Sequence, residues 1–197
     1  DGNAFPAGYR EQYTARDSVH DVDLMESLTS EDGISMNLYK ALGAPPGELR
    51  FKLLKRGATV PLWQSLPMLE HMGVKVIDER RYQVEPDSGT SIWIHDMGLR
   101  ADAAIDIKAV RSIFHDAFLW VWRGAAESDD FNRLVLFAGL NWREIALLRA
   151  YAKYARQAGF TFSQAYMEAA LGAHPAIARQ PVALFIERFE PHGDDPV

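Results

Sequence analysis

Apolar residues recur at helical spacing near the start of the chain, at Val19, Val22, Leu24, Met25 and Leu28, and predict a helix from about Arg16 to Leu28 capped by Asp17 or Ser18. The period then shortens to two. ISMNLYKAL (34–42) and LRFKLLKRG (49–57) read as half-buried strands, joined by the turn formers GAPPGE (43–48). In LPMLEHMGVKVIDERRYQV (66–84) a helical pattern stops at Gly73 and a strand pattern starts at once. This predicts a helix over Leu62–Met72 with Pro61 near its first turn, a left-handed stop at Gly73 and a strand over 74–84. The turn EPDSGT (85–90) and the strand SIWIHDMGL (91–99) follow.

The order α-β-β-α-β-β implies an α+β, ferredoxin-like antiparallel sheet with two helices on one face. Its last strand is free to occupy the place of the missing first one. The alternative is that the missing strand lies upstream of a cut chain.

From residue 103 the period becomes 3.6 and stays there, placing a boundary near Arg100 to Ala104 and two domains at 1–102 and 103–197. Ile107, Val110, Phe114, Phe118 and Val121 form one apolar face that ends at Gly124. Asp129 or Asp130 is placed to cap FNRLVLFA, which stops at Gly139. Asn141 with Glu144 is a capping-box start for WREIALLRAYAKYARQA, and Thr161 with Gln164 repeats the signature for FSQAYMEAAL, stopped at Gly172. Pro175 opens a last helix running towards Phe189, in which Pro181 should introduce a kink or a break. The second half is thus an all-α region.

Composition narrows the function classes. The chain has 197 residues, 48% hydrophobic, enough for a large core, and a net charge of -6 with dispersed Lys and Arg, which leaves no footprint for nucleic acid. With no cysteine there is no thiolate nucleophile, thiolate metal site or disulfide, which fits a reducing cytoplasm. No apolar run reaches membrane-span length and the N-terminus lacks a signal pattern.

Candidate chemistry is sparse. There is neither GxGxxG nor GxxxxGKS/T. The loop Arg56, Gly57, Ala58, Thr59 lies between a strand and a helix, where backbone N–H groups could receive an effector carboxylate; the plainer reading is a β-α turn that needs glycine. The six histidines are scattered without metal spacing. His95 beside Asp96, and Asp78 beside Glu79, are adjacent on strands, so each pair diverges to opposite faces. No catalytic and no metal-binding residue follows from the sequence.

FPAGYREQY (5–13), LPMLEHMGVKVIDERRYQV, WIHDMGL (93–99), FNRLVLFAGLNWREIALLRAYAKYARQAGFTFSQAYMEAAL (131–171), HPAIAR (174–179) and LFIERFEP (184–191) resemble the N-terminal, non-catalytic region of the large bacterial NAD-specific glutamate dehydrogenases. The resemblance implies an ACT-like domain followed by helical motifs, within a parent enzyme that oxidises L-glutamate to 2-oxoglutarate and ammonia with NAD. It implies no cofactor in this fragment, and as partners self-association, the rest of the parent polypeptide and an amino-acid effector. Two other readings stand beside it. One is an interaction scaffold without a ligand, and the other a free-standing enzyme using His95, Asp96 and the helical half.

Overall fold

The computed structural model describes residues 4–28, 33–86 and 89–189. In chain order it forms α1 (Ala7–Gln12), α2 (Ala15–Glu26), β1 (Ile34–Tyr39), β2 (Glu48–Arg56), α3 (Leu62–His71), β3 (Val74–Val84) and β4 (Ile92–Ala101). The helical half follows as α4 (Ile107–Trp122), a 3-10 turn (Asp130–Arg133), α5 (Leu134–Ala138), α6 (Trp142–Gln157), α7 (Gln164–Ala173) and α8 (Pro175–Phe189). α1 is not among the helices expected above; its six residues hold fewer than two turns. Of the expected turn at 85–90, residues 87 and 88 lie outside the described part.

All strand pairs are antiparallel and the order is β1-β2-β4-β3. β4 therefore fills the central place where a ferredoxin-like sheet seats its first strand.

The expected pair of helices on one face is α3 with α4, not α2 with α3. Alternation along β2 decides this. Leu49, Phe51 and Leu53 enter the larger core with Met68, Leu69 and Met72 of α3 and with Phe114 and Phe118 of α4. Leu54 points the other way, into a second cluster with Tyr9, Met25, Leu28, Ile92 and Ile94, so α1 and α2 cover the opposite face. Phe51, Phe114 and Phe118 are fully buried, and each such burial is worth roughly 1.5–3 kcal/mol. The larger core continues without a break through Phe131, Leu134, Ile145 and Leu148 to Ala178 and Val182 of α8. The sheet and the helical array are one packed body.

Two local devices shape the sheet side. Gly73 ends α3 with φ +84°, and a Cβ there would lie 2.6 Å from the Phe137 ring and 3.0 Å from Arg133 Cβ. The turn is therefore also a point of close approach to the helical half. In β3 the register shifts between Val76 and Asp78, a bulge that leaves Ile77 half exposed and seats Asp78 against Gly98 of β4.

Several caps differ from the sequence reading for identifiable reasons. α2 is capped by Thr14, whose Oγ1 accepts from the Asp17 N–H at 3.3 Å while the Asp17 carboxylate accepts from the Thr14 N–H at 3.0 Å. Asp17 is thus the third helical residue of a capping box, not the cap. α7 is capped by Ser163, two residues after Thr161, and runs through Gly172, where the missing side chain admits Arg133. Asp129 caps the 3-10 turn, and the Asn141–Glu144 box opens α6 as expected. Pro181 lies inside α8 without dividing it.

Candidate functional site

The densest group of buried polar side chains lies under α1 and α2. β2 offers Arg50 and Lys52 on the face opposite Phe51, β4 offers Asp96, and β1 ends in Tyr39. From the helices come Tyr9 and Asp21, and from the turn between them Tyr13, all facing the same strands. Lys52 Nζ lies 2.5 Å from Asp21 Oδ2 and 3.9 Å from the centre of the Tyr13 ring. The Tyr9 hydroxyl donates to the same Asp21 oxygen. Arg50 Nε donates to Asp96 Oδ1 at 2.9 Å, and its terminal nitrogen reaches Asp78 Oδ1 at 3.2 Å. Tyr39 donates to Asp96 Oδ2 at 3.1 Å, and Tyr13 donates to the same oxygen.

Burial dominates the protonation of this group. It pushes the Asp96 carboxyl up to about 8, against the pull of Arg50 towards the anion. Burial prevails because Asp96 is fully enclosed while the guanidinium beside it is shared with Asp78. Burial also raises Tyr39 to about 12, and burial with the Asp21 hydrogen bond raises Tyr9 further, so both hydroxyls stay protonated donors. The result is a hydrogen-bonded joint between the helix pair and the sheet, in which Asp21 and Asp96 each gather several donors.

Signals for parts of it exist in the sequence. Phe5, Tyr9 and Tyr13 recur every four residues, a helical aromatic stripe, and they pack in series with ring centres 4.5 and 4.6 Å apart. Lys52 between Phe51 and Leu53 marks the second sheet face, though not what covers it.

The residues singled out from the sequence are spread around this joint. His95 and Asp96 do point to opposite faces: His95 Nε2 accepts from the Val60 N–H at 3.0 Å and its Nδ1 meets Glu79 Oε1 at 2.7 Å. They cannot act as an acid-base pair. Asp78 and Glu79 separate in the same way, to Arg50 and His95. At Arg56–Thr59 the amides expected to receive a carboxylate are mostly engaged. The Gly57 N–H donates to Ser91 O at 2.8 Å and the Ala58 N–H to Arg56 O at 3.0 Å, while Pro61 at the cap of α3 has no N–H. His115 Nε2 accepts from the Leu38 N–H at 2.9 Å, satisfying an amide of the edge strand β1. Burial, with Arg111 nearby, holds that imidazole down near about 4.

Among the described residues no three His, Asp or Glu side chains gather as a metal site, and no helix is long and apolar enough to cross a membrane.

Comparison with known proteins accounts for this layout. Three family models match in succession: glutamate dehydrogenase helical motif 2 at residues 2–28, the glutamate dehydrogenase ACT3 domain at 33–110 and glutamate dehydrogenase helical motif 3 at 126–191. The buried joint is thus the contact of helical motif 2 with the ACT3 sheet. Proteins named NAD-specific glutamate dehydrogenase are similar over almost the whole chain. The one from Halomonas elongata is 42% identical over 96% of this chain, that from Pseudomonas aeruginosa 40% over 94%, and that from Mycobacterium tuberculosis 37% over 95%. The chain spans 12% of the length of each relative. With the ACT-like sheet, its flanking helices and these matches together, the chain belongs to the NAD-specific glutamate dehydrogenase family, as the region made of helical motif 2, the ACT3 domain and helical motif 3.

Proposed function

We propose that this chain is a regulatory and assembly region of an NAD-dependent glutamate dehydrogenase, the parent enzyme converting L-glutamate, NAD and water to 2-oxoglutarate, ammonia and NADH. In this reading it carries no chemistry of its own. Residues 1–102 form the packing unit and 103–197 the helical unit that transmits its position. The observation that carries the reading is the coverage of the sheet on both faces by the chain's own helices. A sheet built in this way acts as a rigid spacer and presents its edges and helix surfaces to partners. Excising the region from a parent enzyme tests it. Loss of the native oligomer by light scattering, with glutamate turnover retained by the remaining domains, is expected; unchanged assembly and unchanged kinetics would sink the reading.

An amino-acid effector at Arg56, Gly57, Ala58 and Thr59 is the second reading. It is supported by Arg56 Nε, which is buried without a hydrogen-bond partner among the described residues. A ligand that binds only the folded state raises its apparent stability. Melting this chain with each of the twenty amino acids, 2-oxoglutarate and NAD therefore separates the two. A reproducible rise with one amino acid, abolished by Arg56→Ala, supports the effector; no rise with any of them leaves the spacer.

A further inference from the structure

The junction of α6 and α7 holds three aromatic rings in a fixed array that the fold leaves uncovered. α6 closes in a tight C-terminal turn in which Gly159 takes φ +93°, its N–H donates to Arg156 O at 3.1 Å and the Phe160 N–H donates to Ala155 O at 2.9 Å. On the other side Ser163 Oγ accepts from the Tyr166 N–H at 3.1 Å. Between these two caps Phe160 and Phe162 lie 5.0 Å apart, and Phe162 stacks on Tyr166 at 4.5 Å. The rings are nevertheless 52%, 44% and 55% exposed. The residue after the glycine of such a turn commonly packs back on its helix. Phe160, at that position, stays half exposed beside Phe162.

Two cations, Lys153 and Arg156, stand beside the rings. Lys153, Arg156, Phe160 and Phe162 line an open cavity of about 630 Å³ with no carboxylate in its wall among the described residues. Lys153 is paired with Glu127 at 2.6 Å, whereas Arg156 makes no ion pair among the described residues. Aromatic and Arg side chains are the types that dominate the centres of protein interfaces, and rings fixed by two backbone caps lose little freedom on binding. The relatives are about eight times as long as this chain, which spans 12% of them.

We propose that this aromatic and cationic shelf is the docking site for an acidic segment with apolar anchors from the rest of the same parent polypeptide. The segment's carboxylates face Arg156 and its apolar side chains cover Phe160 and Phe162. A second copy of this chain and a nucleic acid are the alternative occupants that the test separates. The proposal rests on the chain being an assembly region of that enzyme.

The test is hydroxyl-radical footprinting of Phe160, Phe162 and Tyr166 by mass spectrometry, in a full-length parent enzyme and in this chain alone. Burial at an interface centre should lower labelling about five-fold in the full-length enzyme. The protection should not vary with protein concentration or nuclease treatment, and should fall in the full-length Arg156→Glu variant and at high salt. Arg156 is exposed, so this variant leaves the fold intact. Equal labelling in both proteins overturns the proposal. So does protection that grows with concentration, which indicates a second copy, or that vanishes with nuclease, which indicates nucleic acid. If labelling is equal while excision of the region still disrupts assembly, only the shelf is refuted and the assembly reading stands.

Discussion

Lys52 Nζ and Asp21 Oδ2 meet at 2.5 Å between β2 and α2, with side chains only 5% and 1% exposed. Removing one partner of such a pair leaves the other charged and buried, which costs about 3–5 kcal/mol, whereas replacing both by apolar residues is close to neutral. Lys52→Met is therefore expected to lower the urea midpoint sharply, and Asp21→Leu with Lys52→Met to recover most of the loss. Additive costs in this double-mutant cycle would show that the two residues are not an energetic unit.

Asp96 sets a pH dependence with a definite sign. An unfolded aspartate loses its proton near about 4, while burial holds the folded carboxyl up to about 8. Between these values the folded chain binds a proton that the unfolded chain has released, so stability falls as pH rises through the interval and levels off above it. Urea midpoints at pH 5, 6.5 and 8.5 measure this slope. Asp96→Asn removes the titration while keeping one acceptor oxygen for Arg50, with its amide nitrogen turned to the Tyr39 and Tyr13 hydroxyls, and is expected to flatten the slope. A wild-type midpoint that rises with pH over this range would mean that the ion pair with Arg50 outweighs burial.

These two residues also show where sequence reasoning stops. Period-two alternation puts Lys52 on the face opposite Phe51 and Asp96 on the face opposite His95, and both placements hold. Whether that face is wet depends on α1 and α2 folding over it, through contacts such as Asp21 with Lys52 and Tyr13 with Asp96 that join residues far apart in sequence. No local pattern encodes such a pairing. Gly73 is the opposite case: a helical run followed at once by strand alternation demands a reversal, and only a residue tolerant of positive φ makes it cheaply. In the Arg56–Thr59 loop the sequence shows amides that precede a helix, a pattern that fits an anion receptor and a plain turn alike. The loop's hydrogen bonds to Ser91 and within the turn depend on tertiary register, which the sequence does not display.

Gly73→Ala should be unusually costly for a surface turn. A left-handed conformation costs a non-glycine residue about 1–2 kcal/mol, and here the added methyl also meets Phe137 at 2.6 Å and Arg133 Cβ at 3.0 Å. Overpacking of this kind adds about 1–3 kcal/mol. Gly124 takes φ +68° with open space around it, so Gly124→Ala carries the backbone cost alone. The difference between the two variants in thermal unfolding isolates the contact of the α3 turn with the helical half. Equal losses would show that the Phe137 side moves away freely.

Arg149 ties α6 to the chain that leads into α5. Its Nε and terminal nitrogen donate to the two oxygens of Asp129 at 2.6 and 2.8 Å, and the terminal nitrogen also reaches Asn132 Oδ1 at 2.8 Å. The side chain is almost wholly enclosed. Asp129 meanwhile caps the 3-10 turn by accepting from the Phe131 N–H at 3.2 Å, so one carboxylate serves both the cap and the ion pair. Arg149→Ala strands that carboxylate and Asn132, at about 3–5 kcal/mol. Arg149→Lys keeps the charge but not the planar fork, because one ammonium cannot donate to both carboxylate oxygens and Asn132 in the same geometry. Lysine should therefore restore less than half of the loss in urea midpoint. Full rescue by lysine would mean that the site needs only a positive charge.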